Sequence, residues 1–107
     1  MTEKINFKSF KQACDVQELF EARLQIGVAT PADVFSFLEE QKLKHSRLID
    51  NSEYIGTIHQ IPFEYTISSA APAKRIGWLF EAHWCIEFHF NNQRLAKIEV
   101  LKSGVGF

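Results

Sequence analysis

Four side chains that can bind metal or carry protons stand at alternate positions late in the chain: His83, Cys85, Glu87 and His89. Between and after them come Trp84, Ile86, Phe88 and Phe90. Strict alternation at period two marks a strand with one face buried and the other polar. Same-face neighbours on such a strand lie about 6.5–7 Å apart, close enough for two of them to grip one ion. His83, Cys85 and His89 are therefore candidate zinc ligands, with His59 as a further one from a nearby strand. The simpler reading is the polar side of an antiparallel strand, where such residues belong. No tight pair of the Cys-x-x-Cys kind accompanies them, so the expectation is no metal and no other cofactor.

Catalytic chemistry finds less support. A nucleophilic Cys85 served by His83 or His89 needs an electropositive pocket and a third, orienting group. A flat sheet face supplies neither. Glu64 and Glu81 are isolated carboxylates with no partner for acid–base work. Lys74-Arg75 is a short basic step, and there is no glycine-rich phosphate loop or Ser-His-Asp signature. The sequence therefore assigns no catalytic residue, and the chain reads as a non-enzyme.

Composition narrows the partners. The chain has 107 residues, of which 46% are hydrophobic, a size that suits one domain with its own core. Formal net charge is −1, from 12 basic and 13 acidic side chains, which gives no electrostatic footprint for nucleic acid. No run approaches the ~20 apolar residues of a membrane helix, so no membrane insertion is expected. Cys14 and Cys85 read as free thiols, and Cys14 as a small buried hydrophobe on a helix. A cytoplasmic location is expected, or a periplasmic one if a leader precedes Met1 in the natural chain.

The elements that must position these groups divide the chain in two. A helical part is expected over about residues 6–45. Asp15 and Glu18 have the spacing of a capping box, with Val16, Leu19, Phe20 and Leu24 on one face behind it. Gly27 ends that pattern. Thr30-Pro31-Ala32-Asp33 is a strong second helix start, followed by Val34, Phe35 and Leu38 inward and Phe37 at the margin. A sheet is expected over about residues 53–101. Its strands run over Tyr54–His59, Phe63–Ser68, the segment containing Ile76, Trp78 and Phe80, His83–Phe90, and Arg94–Leu101. Ser69–Ala73 reads as a connection and residues 102–107 as a tail.

The last hairpin can be given a register. A three-residue loop, Asn91-Asn92-Gln93, sets Phe88 opposite Ala96, Ile86 opposite Ile98 and Trp84 opposite Val100, all apolar. The same register sets Glu87 opposite Lys97 as an ion pair on the outer face. Two helices followed by an antiparallel four- to five-stranded meander make a two-layer α+β domain, with the helices on one sheet face. The other face stays open. It is expected to carry His83, Cys85, Glu87, His89, Leu95, Lys97 and Leu101, with Leu79, Tyr54, Tyr65 and Trp78 reaching it from elsewhere.

One stretch resembles a known family. Leu24-Gln25-Ile26-Gly27-Val28-Ala29-Thr30-Pro31-Ala32-Asp33-Val34, with Leu38 four residues on, is similar to the L-x-x-G-x-T-x-x-x-V-x-x-x-L pattern of small outer-membrane assembly lipoproteins of the small protein A type. Ile86 to Ile98, an aromatic strand, a polar turn and a Leu-x-x-Ile return, resembles the end of their sheet. Glu39-Glu40-Gln41-Lys42 stands where that family usually carries a glycine. The resemblance implies the helix–helix–sheet fold that the family shares with the β-lactamase inhibitor protein, and work done through protein contacts. The expected function is thus a small bacterial binding domain, an inhibitor, immunity or assembly factor that docks on a partner protein through its open sheet face or its hairpin loops. An edge strand could also pair two copies as a homodimer. The alternative is a cystatin-like cone that binds a small ligand or acts as a small enzyme, with Trp78, Trp84 and Phe88 lining a pocket.

Overall fold

The chain is described by a computed structural model over residues 4–54, 62–73 and 81–105. Its first ordered element is a short 3-10 turn, Phe7–Ser9, capped by the Asn6 side chain, which accepts from the Lys8 N–H at 3.2 Å. The backbone is then extended at Phe10 and Gln12, so helix α1 spans Ala13–Arg23 and does not reach back to Asn6. Gln12 takes the N-cap position without a side-chain bond, and Asp15 sits in the first turn instead of capping it. The expected face forms: Val16, Phe20 and Leu24 are buried. Cys14 falls on the other side and is exposed, contrary to the expectation of a buried thiol.

Helix α2, Pro31–Glu40, starts as its sequence dictates. The Thr30 hydroxyl accepts from the Asp33 N–H, and the Asp33 carboxylate accepts from the Thr30 N–H, a complete capping box with Pro31 at the first position. The Thr30 backbone N–H first, and the Thr30 side chain second, hold the Asp33 carboxyl below its ordinary range by hydrogen-bonding to it. Val34, Phe37 and Leu38 are the buried face. Phe35 is only half-buried, at the margin, where its ring meets His45 at 5.0 Å. The sequence expectation had Phe35 and Phe37 exchanged. The helix ends in a Schellman motif: Lys42 N–H donates to the Glu39 carbonyl and Leu43 N–H to the Leu38 carbonyl. Lys42 therefore holds the left-handed conformation, φ 56°, at the place a glycine usually fills.

The sheet begins earlier than expected. Strands β1 (Lys44–His45) and β2 (Ile49–Asp50) both pair antiparallel with β3 (Tyr65–Pro72). Strands β4 (Glu81–Asn91) and β5 (Arg94–Val105) complete an antiparallel sheet in the order β1-β3-β4-β5. Asn51–Tyr54 is a 3-10 turn, and the rest of the strand expected over Tyr54–His59 lies outside the described residues, as does the segment with Ile76, Trp78 and Phe80. Ser69–Ala73 is not a connection. β3 continues as far as Pro72, with the buried Ala71 directly opposite the buried Trp84. β5 likewise continues past Leu101 to Val105, so most of the expected tail is paired.

The final hairpin corrects the expected register. Asn92 and Gln93 both have positive φ, 53° and 62°, which makes a two-residue turn of the kind that matches strand twist. Asn91 then faces Arg94 and Phe90 faces Leu95, but His89 faces Lys97, so Ala96 is an extra, bulged residue. Beyond the bulge Phe88 pairs with Ile98 and Ile86 with Val100. The apolar alternation that seemed to demand a longer loop is met instead by a shorter loop and a bulge. Glu87 consequently faces Glu99, and Lys97 faces His89.

The bulge also reverses the side on which Leu95 points. Leu95 is fully buried, whereas the sequence expectation placed it on the open face. Its backbone is pinned by the turn after α1: Gly27 N–H donates to the Leu95 carbonyl and Leu95 N–H to the Ala29 carbonyl, both at 2.7 Å. Gly27 makes this possible with φ 83°, a conformation that side chains resist.

The core lies between the helices and the inner sheet face. Phe20 of α1 meets Phe88 edge-on at 5.4 Å and Phe37 of α2 at 5.6 Å, and stacks on Phe7 at 5.7 Å. Trp84 is buried with its indole N–H satisfied by the Phe7 carbonyl at 2.9 Å. Leu95→Ala should lower unfolding stability by about 2–5 kcal/mol, while Leu101→Ala should change it by less than about 0.5 kcal/mol. Urea unfolding of both variants checks this pair. Lys42→Gly should raise stability by roughly 0.5–1 kcal/mol in the same assay, by relieving the left-handed strain.

Candidate functional site

Opposing residues of antiparallel strands point to one face, so the register lays out the outer side of the sheet row by row. One row runs Lys44, Ala70, Cys85, Leu101 across β1, β3, β4 and β5. The next, toward the free ends, holds Pro72, His83 and Ser103. On the other side come Ser68, Glu87 and Glu99, then Thr66, His89 and Lys97. Cys85, Glu87 and Lys97 are exposed and His83 is half-buried, so these four stand on the open face where the sequence put them. Leu95 does not. Leu101 is 71% exposed and, with the exposed Cys85 and Ala70 in the same row, makes an apolar strip across β3, β4 and β5. Tyr65 is half-buried against the core, and Tyr54, Trp78 and Leu79 lie outside what is described at side-chain level.

His89 breaks the simple division into an inner apolar and an outer polar face. It belongs to the outer row, yet it is only 3% exposed. The cover comes from the segment between β2 and β3. Phe63 stacks on the imidazole at 4.7 Å and 15°. Asn51, itself buried, donates from Nδ2 to the Phe63 carbonyl at 3.1 Å and to the Thr66 hydroxyl oxygen at 2.8 Å. That hydroxyl lies 2.9 Å from His89 Nδ1. The Asn51 Oδ1 has no partner and is buried. The ring is thus clamped on one face and held at one nitrogen.

The other nitrogen, Nε2, points at two carboxylates, 3.4 Å from Glu87 and 3.5 Å from Glu99. Lys97 Nζ lies 3.0 Å from the second oxygen of Glu99. Among the described residues, Glu87, His89 and Glu99 are the group whose ligand atoms converge, all within 4.8 Å of one another. The sequence candidates His83 and Cys85 are not part of it, and His59 lies outside the described residues. Glu99 escaped the sequence reading because the expected register gave Glu87 a lysine partner. Phe63 and Thr66 lie on or beside a strand that the sequence does show, but nothing in its alternation says that they and Asn51 would close over His89.

Glu64, read as an isolated carboxylate, has a structural task. Its side chain accepts from the Asn92 N–H and so ties the β4–β5 turn to the segment before β3. The three described surface depressions, about 380, 500 and 310 Å³, lie between α1 and α2, beside the 3-10 turn at Phe7, and along the β1–β3 edge. None of the three lies between the helices and the sheet, where a ligand cone would have its pocket. Trp84 and Phe88, proposed pocket walls in that alternative, are fully buried, Phe88 against the Phe20 ring and Trp84 with its indole N–H on the Phe7 carbonyl. No described helix is long and apolar enough to cross a membrane.

The Lys97 ammonium, hydrogen-bonded to Glu99, is the main cause that holds the Glu99 carboxyl below its ordinary 4.5; partial burial opposes it, and the charge of His89 adds to the lowering. A carboxyl with a lowered folded value contributes stability above its unfolded value and loses it as pH falls through the folded one. Wild-type unfolding midpoints should therefore fall from about pH 5 downward more steeply than those of Glu99→Gln. Equal acid profiles for the two proteins would remove Glu99 from the pH dependence.

No family model matches this chain, and no curated protein or solved structure does either.

Proposed function

We propose that the chain is a small non-enzymatic protein-binding domain that docks through the open face of its sheet, as an inhibitor, immunity or assembly factor does. The observation that carries this reading is the apolar strip Ala70–Cys85–Leu101, which runs across β3, β4 and β5 and ends in Leu101, 71% exposed, next to the row of Glu87 and Glu99. An exposed apolar strip bordered by Lys44 at its β1 end, by Glu87 and Glu99 on one side and by His83 and Ser103 on the other has the layout of a protein contact, apolar within and polar around it. The sheet beneath is rigid, since its reverse side is the packed core. The apolar patch is modest, which suits a standard or small interface more than an obligate one.

The residues expected at this surface are His83, Cys85, Glu87 and Lys97, with Leu101 in the apolar strip and Leu95 removed to the core. Several acid–base groups are present, but none of the three described depressions is lined by Glu87, His89 or Glu99. The partner is a protein without strong net charge demands, given the near-balanced chain.

The test is affinity capture with the wild-type chain as bait, followed by direct titration of the captured partner. Leu101→Glu should weaken that complex by about 30-fold or more, the effect of losing an apolar contact worth about 2 kcal/mol. Because Leu101 is exposed, the variant should unfold at the wild-type midpoint. A partner bound equally by wild type and Leu101→Glu would remove the outer face from the account.

A further inference from the structure

We propose that Glu87, His89 and Glu99 form a three-ligand site for a divalent first-row transition-metal ion of the zinc class. The donors are His89 Nε2 and one carboxylate oxygen each from Glu87 and Glu99, all within 4.8 Å of one another. Zinc binds imidazole nitrogen and carboxylate oxygen at about 2.0–2.2 Å, so a tetrahedral arrangement sets neighbouring donors about 3.4 Å apart. The two separations measured from His89 Nε2 are 3.4 and 3.5 Å. They are at the long end for N–H···O hydrogen bonds, which run about 2.7–3.2 Å, so the direct contact of His89 with Glu99 is a weak one. The same spacing is that of two donors on one tetrahedral ion.

Two independent features support it. The first is the support behind the imidazole. His89 is 3% exposed, stacked on Phe63, and held at Nδ1 by the Thr66 hydroxyl. A ligating Nε2 leaves the proton on Nδ1, and the Thr66 oxygen can accept it while also accepting from Asn51 Nδ2. A histidine oriented in this way through its second nitrogen is the usual partner arrangement of a metal ligand. The unpartnered, buried Asn51 Oδ1 is a cost borne in that same supporting shell.

The second feature is the pair Glu87 and Glu99. They face each other directly across β4 and β5, a like-charge placement that destabilises a sheet unless a cation intervenes. Lys97 occupies only the far oxygen of Glu99, leaving the near one toward His89. About half of each glutamate side chain is exposed, so the ion would be reached from solvent and keep an open coordination position. One nitrogen and two oxygen donors select zinc, cobalt or manganese over calcium and magnesium, which prefer all-oxygen sites with more ligands.

The test uses the full chain, stripped with a chelator and titrated with Co²⁺, whose visible absorption reports coordination geometry. The expected result is a one-to-one Co²⁺ spectrum, displaced by Zn²⁺ and left intact by excess Mg²⁺. His89→Gln should abolish it, and Thr66→Val should weaken binding by about 10–100-fold through the orienting contact. Glu87→Gln, at an exposed position, serves if His89→Gln fails to fold, and should also abolish the spectrum. Lys97→Met should tighten binding several-fold by removing a competing cation, while Cys85→Ser and His83→Gln should leave it unchanged. Absence of a Co²⁺ spectrum in the wild type, or an equal one in His89→Gln and Glu87→Gln, would overturn the assignment and leave the cluster as an ion triad alone.

Discussion

Phe20 projects from the first helix onto Phe88 in the centre of the sheet, edge to face at 5.4 Å, and the rest of the molecule is arranged around that contact. It fixes which side of β4 is covered. Trp84, Ile86, Phe88 and Phe90 are all fully buried on that side, and Phe7 and Phe37 close the space around Phe20. Each aromatic side chain removes a large apolar area from water, so this cluster supplies much of the driving force in a chain this short. Once these residues face inward, period-two geometry leaves the other side chains of β4 no choice but to face outward.

β5 meets this demand with a device that simple alternation lacks. Its first residues must serve a tight turn at Asn92-Gln93, while its later ones must place Ile98 and Val100 beneath the helices. A bulge at Ala96 reconciles the two by changing the strand's parity once. The consequences reach both faces. Leu95 turns into the core, where the Gly27–Ala29 segment pairs with its backbone and covers the start of the β5 edge. Glu99 turns to lie opposite Glu87, beside His89. A single extra residue thus creates both an anchored core position and an acidic pair on the surface.

The outer face has two characters. Around Leu101 and Cys85 it is open and partly apolar, suited to contact with another protein. Around His89 it is roofed by Phe63 and Asn51, so a histidine that alternation assigns to solvent is nearly sealed. Desolvation of one nitrogen and exposure of the two carboxylates near the other make this the most chemically constrained point among the described residues. The two regions sit on adjacent rows, close enough for a partner seated on Leu101 to touch the glutamates.

Local chemistry alone determined the parts of this protein that depend on neighbours in sequence. The capping box at Thr30, the buried stripe Val16–Phe20–Leu24 and the inward aromatics of β4 follow from spacing and side-chain type, and they specify the α+β class with helices on one sheet face. What they cannot specify is anything set by a partner strand. The Ala96 bulge, the burial of Leu95, the Glu87–Glu99 pairing and the roof over His89 arise only when distant segments meet. Lys42 in the left-handed C-terminal position and Ala71 beneath Trp84 belong to the same class. Periodicity records which face a residue prefers, but register, bulges and covering loops are chosen by the total packing of the folded chain, and that choice decided the chemistry of the outer face.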